Sequence, residues 1–138
     1  MTANGKYRIL VVDDEATVLM TYRLILEQQG YEAVACGTSV EAVAAITNQT
    51  FDAVLCDYSM ESQHTGFEII SLARQHDAKL PAALVTGYAT PDAVEEASRQ
   101  NIWIMFKPIE IQEFLATTAK LLQSNRAPIV EDSEPKNG

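Results

Sequence analysis

Short apolar runs alternate with amphipathic stretches five times along this chain. Residues 7–12, 32–36, 53–56, 82–85 and 102–106 have the length and apolar content of buried strands. Between and after them the apolar residues recur at helical spacing. Residues 16–29 carry Val18, Tyr22, Ile25 and Leu26 on one face, and residues 67–76 carry Ile69, Ile70 and Ala73. Residues 110–123 should face inward with Ile111, Phe114, Leu115, Ala119 and Leu122. Local chemistry marks the remaining boundaries. Gly30 suits a helix stop. Thr38 and Glu41 have capping-box spacing ahead of a helix over 39–48. Thr90-Pro91-Asp92 supplies a hydroxyl cap, a first-turn proline and an acid for a helix running to about residue 100. Strands alternating with helices imply an α/β fold with a parallel sheet covered on both faces. Right-handed crossovers reduce the layouts to a doubly wound sheet of five strands and five helices.

In such a sheet the site lies outside the carboxyl ends of the strands, at the topological switch point. Asp13 and Asp14 follow the first apolar run, Asp57 the third, Thr86 the fourth and Lys107 the fifth. The fold rule therefore gathers five scattered residues into one crevice. Carboxylates crowded together repel, by about 4 kcal/mol for a pair ~4 Å apart at an effective dielectric near 20. Lys107 offsets part of that, and a divalent cation would offset more. Hard oxygen donors without histidine or thiolate favour Mg²⁺. Asp57 could then act as a nucleophile toward a phosphoryl group, forming an acyl phosphate. Lys107 and a Thr86 hydroxyl would neutralise the phosphoryl oxygens. Taken singly, the Asp13-Asp14 pair reads as a solvated turn that caps a helix, and Thr86 as an ordinary strand end. Their shared register makes those readings weaker.

The bulk numbers set limits. The 138 residues suit one domain, and the stretch 124–138, polar with two prolines and no periodicity, reads as a disordered tail after a domain over 1–123. A net charge of −9 argues against nucleic-acid and anionic-membrane partners. Cys36 and Cys56 lack metal spacing and fit a reducing cytoplasm better than a disulfide framework. No run approaches the ~20 apolar residues that cross a bilayer.

Four segments, in order, carry a family resemblance: Val-Val-Asp-Asp-Glu (11–15), Leu-Cys-Asp-Tyr-Ser-Met (55–60), Val-Thr-Gly (85–87) and Phe-Lys-Pro (106–108). Over residues 6–123 the chain resembles the receiver domain of bacterial two-component response regulators, with a stand-alone, chemotaxis-type receiver as the expectation. The resemblance implies a flavodoxin-like sheet in the order 2-1-3-4-5. It implies Asp57 as phosphoacceptor, Asp14 as a direct Mg²⁺ ligand, Asp13 as a water-mediated one, and the Ser59 backbone carbonyl as a further ligand beside Asp57. Thr86 would move to the phosphoryl group and Lys107 would pair with it. The Lys107-Pro108 bond would be cis. The donor would be a phosphohistidine on a sensor histidine kinase or phosphotransfer protein. The product would be a signalling switch rather than an enzyme, passing its signal to an unidentified downstream protein, along a phosphorelay, or through a homodimer on the face of the fourth helix, fifth strand and fifth helix.

Two departures stand out. Glu61 stands where the family usually has proline, and after the polar stretch Glu61-Ser62-Gln63-His64-Thr65 the glycine, here Gly66, comes about one residue late. Ile104 occupies the position where the family commonly has an aromatic switch residue, and alternation puts Trp103 on the opposite face. Tyr88, two residues after Thr86, could cover the pocket and slow attack by water. Two alternatives remain open: a Mg²⁺-dependent aspartyl phosphatase of the dehalogenase type, although Ser59 stands where that chemistry wants a second acid, and a receiver-like domain that is never phosphorylated.

Overall fold

The structure is a computed structural model that describes residues 2–58 and 65–126. Its five strands are β1 (Arg8–Val12), β2 (Glu32–Cys36), β3 (Ala53–Asp57), β4 (Ala82–Thr86) and β5 (Ile102–Phe106). The helices are α1 (Ala16–Gln28), α2 (Ser39–Asn48), α3 (Gly66–His76), α4 (Pro91–Arg99) and α5 (Ile111–Arg126). The strands form one parallel sheet in the order β2-β1-β3-β4-β5. This is the doubly wound, flavodoxin-like arrangement expected from the alternation and the resemblance.

Successive side chains of each strand point to opposite faces, and both faces are covered. Leu10, Val12, Val54, Cys56 and Leu84 pack under α2, α3 and α4. Ile9, Val11, Leu55, Val85 and Met105 pack under α1 and α5. Two-sided burial explains why the strands read as continuous apolar runs rather than alternating ones. Cys36 and Cys56 are both buried and free.

Several local expectations need correction. Ile111 is exposed rather than inward, because it sits in the first turn of α5, while the inner stripe runs through Phe114, Thr118, Leu121 and Leu122. Thr118 is tolerated there because its hydroxyl donates to the Phe114 carbonyl at 2.8 Å. Helix α5 runs on to Arg126, so residues 124–126 are helical rather than tail; residues 127–138 lie outside the described residues. Thr38 accepts from the Glu41 N–H as a cap should, but the Glu41 carboxylate returns to the Gly37 N–H at 2.8 Å rather than to Thr38. The reciprocal capping box occurs instead at Thr65 and Glu68, where α3 begins.

Candidate functional site

The strands end on one rim, and their register places the polar residues side by side. Val12 of β1 is level with Cys56 of β3, and Asp57 with Val85 of β4. Asp13, Asp57 and Thr86 therefore lie within one residue of the same level on three adjacent strands. Lys107 joins them from the fifth, its N–H donating to the Thr86 carbonyl at 2.7 Å. Carboxylate oxygens of Asp13, Asp14 and Asp57 lie within 4.8 Å of one another. Asp13 and Asp57 are buried and Asp14 is half-buried.

The ammonium of Lys107 sits among these acids. It donates to Asp13 Oδ2 at 3.1 Å and lies 3.7 Å from Asp57 Oδ1 and 3.6 Å from Glu15 Oε1. Burial alone would lower the pKa of this amine. The hydrogen bond to Asp13 and the fields of Asp57 and Asp13 outweigh burial, and the group is held above the ordinary lysine range. Both oxygens of Asp13 are engaged by the protein, since Oδ1 also accepts from the Glu15 N–H at 2.9 Å. Asp13 thus performs the turn duty first read for the Asp13-Asp14 pair and also takes the lysine. The Glu15 contact was not among the expected roles. Its signal was only the adjacency of a third acid, which placement at the N-cap of α1 explains equally well.

Thr86 is buried, and its hydroxyl is already engaged. It donates to the Tyr88 carbonyl at 2.6 Å and accepts from the Tyr88 N–H at 3.2 Å. Tyr88 is 73% exposed, so the cover expected of it over the pocket is not provided by a packed side chain. Ile104 is half-buried against the α2–α3–α4 side of the core. Trp103 lies on the opposite face, with the Lys120 amine 5.9 Å from its ring centroid. The Lys107-Pro108 bond is cis. Ser59 and residues 60–64 lie outside the described residues.

The backbone beside Asp57 is set by a close approach that sequence order alone did not reveal. Gly66, the first residue of α3, donates its N–H to the Tyr58 carbonyl at 3.1 Å. A Cβ at Gly66 would come 2.6 Å from the Asp57 carbonyl oxygen and 2.6 Å from Leu84 Cδ2. Glycine is thus required by space, not by backbone angles. Beside Lys107, a cavity of about 480 Å³ is lined by Thr17, Val18, Tyr22, Pro108 and Ile109. Tyr22 stacks on Phe114 with centroids 4.8 Å apart, and burial raises its phenol pKa, with Asp13, Asp57 and Glu15 adding and Lys107 opposing.

Chemically, the cluster offers hard oxygen donors and one ammonium. Among the described residues the nearby thiol does not compete, because Cys56 points to the Asp57 carbonyl and burial drives its pKa upward. Such a donor set suits a hard divalent cation.

Comparison with known proteins agrees with this geometry. The response regulator receiver domain family matches residues 9–119. A CheY-like receiver domain protein from Methanospirillum hungatei is 27% identical, with a TM-score of 0.82 over 88% of this chain and 98% of that one. CheY4 of Vibrio cholerae shares the fold at 24% identity and a TM-score of 0.79, over 86% of this chain and all (100%) of that one. The alginate biosynthesis transcriptional regulatory protein AlgB of Pseudomonas aeruginosa is 25% identical over 142 residues, covering 99% of this chain. This chain spans 31% of AlgB and 28% of the similar ZraR of Klebsiella oxytoca, about a third of the length of such relatives. Among the described residues no helix is long and apolar enough to cross a membrane. From its matched residues and its fold, the chain belongs to the response regulator receiver domain family.

Proposed function

We propose that this chain is a phosphorylation-dependent signalling switch, with Asp57 as the phosphoacceptor. The observation that carries the reading is the Lys107 ammonium held between Asp13 and Asp57, within a cluster of three carboxylates. An Asp57 oxygen attacks the phosphorus of a phosphohistidine on a sensor kinase or phosphotransfer protein. The P–N bond breaks, the imidazole leaves and takes up a proton, and an acyl phosphate remains on Asp57.

Mg²⁺ fits the donor set of Asp13, Asp14 and Asp57; Asp14 and Asp57 would hold it directly together with the Ser59 carbonyl, and Asp13 would act through water. The engagement of both Asp13 oxygens supports that division of roles. When bound, the ion supplies charge neutralisation at the phosphoryl oxygens. Lys107 orients and neutralises the same oxygens, and Thr86 donates its hydroxyl to them after leaving Tyr88. The signal passes to a downstream protein by contact, through a relay, or through a homodimer on the α4–β5–α5 face. The site serves a single phosphorylation rather than turnover of a small phosphoester, and cytoplasmic placement accords with the two free thiols.

Incubation with acetyl phosphate and Mg²⁺, followed by intact mass, tests this. A gain of one phosphoryl unit that is absent in Asp57→Asn and absent without metal is expected. No gain in the parent protein would overturn the reading in favour of a receiver that is never phosphorylated.

A further inference from the structure

The sheet has a second rim, at the amino ends of its strands and opposite the acid cluster. Arg8 opens β1 there, and Phe51 and Leu80 lead into β3 and β4. Between the last turns of α2 and α3 this rim holds a cavity of about 810 Å³, within the ~300–1,000 Å³ range of small-molecule clefts. Its floor belongs to the core: Ile46, Phe51, Ala73 and Leu80 are all buried. Its mouth is polar and exposed, with Asn48 and Gln49 closing α2 and His76 and Asp77 closing α3. An apolar base under a polar mouth suits a ligand with an apolar body and one polar head.

The charge of that head follows from the helix ends. A helix finishes in carbonyls that lack intrahelical partners and at the negative end of its dipole. Two helices finish at this cavity. Helix α2 has no basic residue in its last turn, and the carbonyls of Ile46, Thr47 and Asn48 accept no hydrogen bond from another described residue. All three residues line the cavity. The Asp77 carboxylate adds to the negative side: Oδ1 accepts from the Lys79 N–H at 3.2 Å, and among the described residues no group donates to Oδ2.

The neighbouring guanidinium groups are committed elsewhere. Arg8 donates from Nε to Glu32 Oε2 at 2.9 Å and from Nη1 to the Thr50 carbonyl at 3.3 Å. Arg74 donates from Nε to the Leu80 carbonyl at 2.9 Å, from Nη1 to the Gln100 carbonyl and from Nη2 to the Asn101 carbonyl at 3.0 Å. Gln100 is the C-cap of α4, so Arg74 shows how this chain satisfies a helix end: with a planar fork of N–H donors that carries positive charge. Helix α2 has no such arginine in its last turn. A net charge of −9 adds a long-range preference for cations.

We infer that this cavity is a binding site for a small amphipathic cation, an amidinium or guanidinium group on an apolar body. The head lies against the end of α2 and pairs with Asp77, whose carboxylate matches two parallel N–H donors. The body rests on Ile46, Phe51, Ala73 and Leu80. The cavity is too large for one arginine side chain of a protein partner and fits a whole small molecule. The site does not rest on the proposed function.

Amide NMR titration of the full, isotope-labelled chain tests this, with benzamidinium as the probe and benzamide and benzoate as its neutral and anionic counterparts. Benzamidinium should shift the amides of residues 47–50 and 76–77 saturably, with Kd on the order of 1 mM, as for a fragment of this size. Benzamide should bind about tenfold more weakly or worse, and benzoate should give no saturable shift. Asp77→Asn keeps an acceptor for the Lys79 N–H but removes the charge, and should weaken benzamidinium by about tenfold or more. Asn48→Lys, at an exposed position, supplies the chain's own ammonium to the end of α2 and should abolish binding. Equal affinity for the three probes overturns the proposal. So does the lack of a saturable shift up to about 10 mM benzamidinium, ten times the expected constant, or a shift confined to the amides around Asp13, Asp14 and Asp57. Unchanged affinity in Asp77→Asn overturns it too, and that variant decides alone should Asn48→Lys fail to fold.

Discussion

Lys107 and Asp13 meet at 3.1 Å although 94 residues separate them in sequence, and the carboxylate they bury is 1% exposed. The pair joins the ends of β1 and β5 across the rim of the sheet. It also makes Lys107 the countercharge for Asp13 before any cation binds.

Lys107→Met should accordingly destabilise the protein. Asp13 would keep the Glu15 N–H but lose its cation in a buried setting. Breaking a fully buried pair costs about 3–5 kcal/mol, and the 22% exposure of the lysine reduces this to roughly 2 kcal/mol. A fall in Tm of roughly 5–10 °C follows for a domain of this size. A melting curve unchanged from that of the parent would refute the assignment.

Removing an acid should act in the opposite direction. Asp57→Asn relieves repulsion among carboxylate oxygens that lie within 4.8 Å of one another. With no metal added, the variant should gain about 1 kcal/mol in urea unfolding, most of the raw repulsion being already offset by Lys107. The parent should gain about 1.4 kcal/mol at Mg²⁺ concentrations near ten times its dissociation constant. Asp57→Asn and Asp14→Asn should lose most of that gain, and EDTA should abolish it. An equal response to Mg²⁺ in all three proteins would place the ion elsewhere.

Gly66→Ala tests the packing beneath the site. Its Cβ would lie 2.6 Å from the Asp57 carbonyl oxygen, so either α3 or the end of β3 must shift. Overpacking of this kind costs about 1–3 kcal/mol. Phosphoryl uptake from acetyl phosphate should slow in the folded variant because the Asp57 backbone is displaced. Unaltered stability together with unaltered uptake would show that the approach is looser than the geometry indicates.

Stability should decline in alkali for two separable reasons. Lys107 is raised above 10.5 in the folded protein, so its contribution is complete below 10.5 and is lost as pH rises through the folded value. Burial lifts the Cys36 thiol from 9.0 to about 11, so the folded state keeps it neutral while the unfolded chain ionises it. That contribution is complete below pH 9 and fades between pH 9 and 11, by about 2 kcal/mol in all. Chemical denaturation across this range should show the loss, and Cys36→Ala should flatten the portion between 9 and 11. A Cys36→Ala profile that superimposes on the parent would exclude the thiol as its cause.

The elements were legible because burial on both faces leaves so plain a trace. Runs such as 9–12 and 53–56 can be little other than central strands, and the residue ending each run must then stand on the carboxyl rim. By that logic alone Asp13, Asp57, Thr86 and Lys107 belong on one rim. Side chains at element ends were harder to read. Ile111 fits the helical period but sits in the first turn of α5, exposed to solvent. Glu41 and Thr38 have capping-box spacing, yet the carboxylate reaches Gly37, because reach at a helix start depends on how the preceding chain arrives.

By itself, then, the order of residues determined the alternation, the parallel sheet and the rim on which the acids and the lysine stand, since hydrophobic period and crossover handedness are local or nearly local constraints. Only the tertiary structure decided which partner each polar atom takes: both oxygens of Asp13, the Thr86 hydroxyl on Tyr88, the missing Cβ of Gly66 above Asp57, and the three carbonyls under Arg74. Those contacts join segments far apart in the chain or turn on tenths of an ångström. Hydrogen bonds and steric contacts are short-ranged, so their outcome is set by how packed elements finally sit and not by the pattern that builds them.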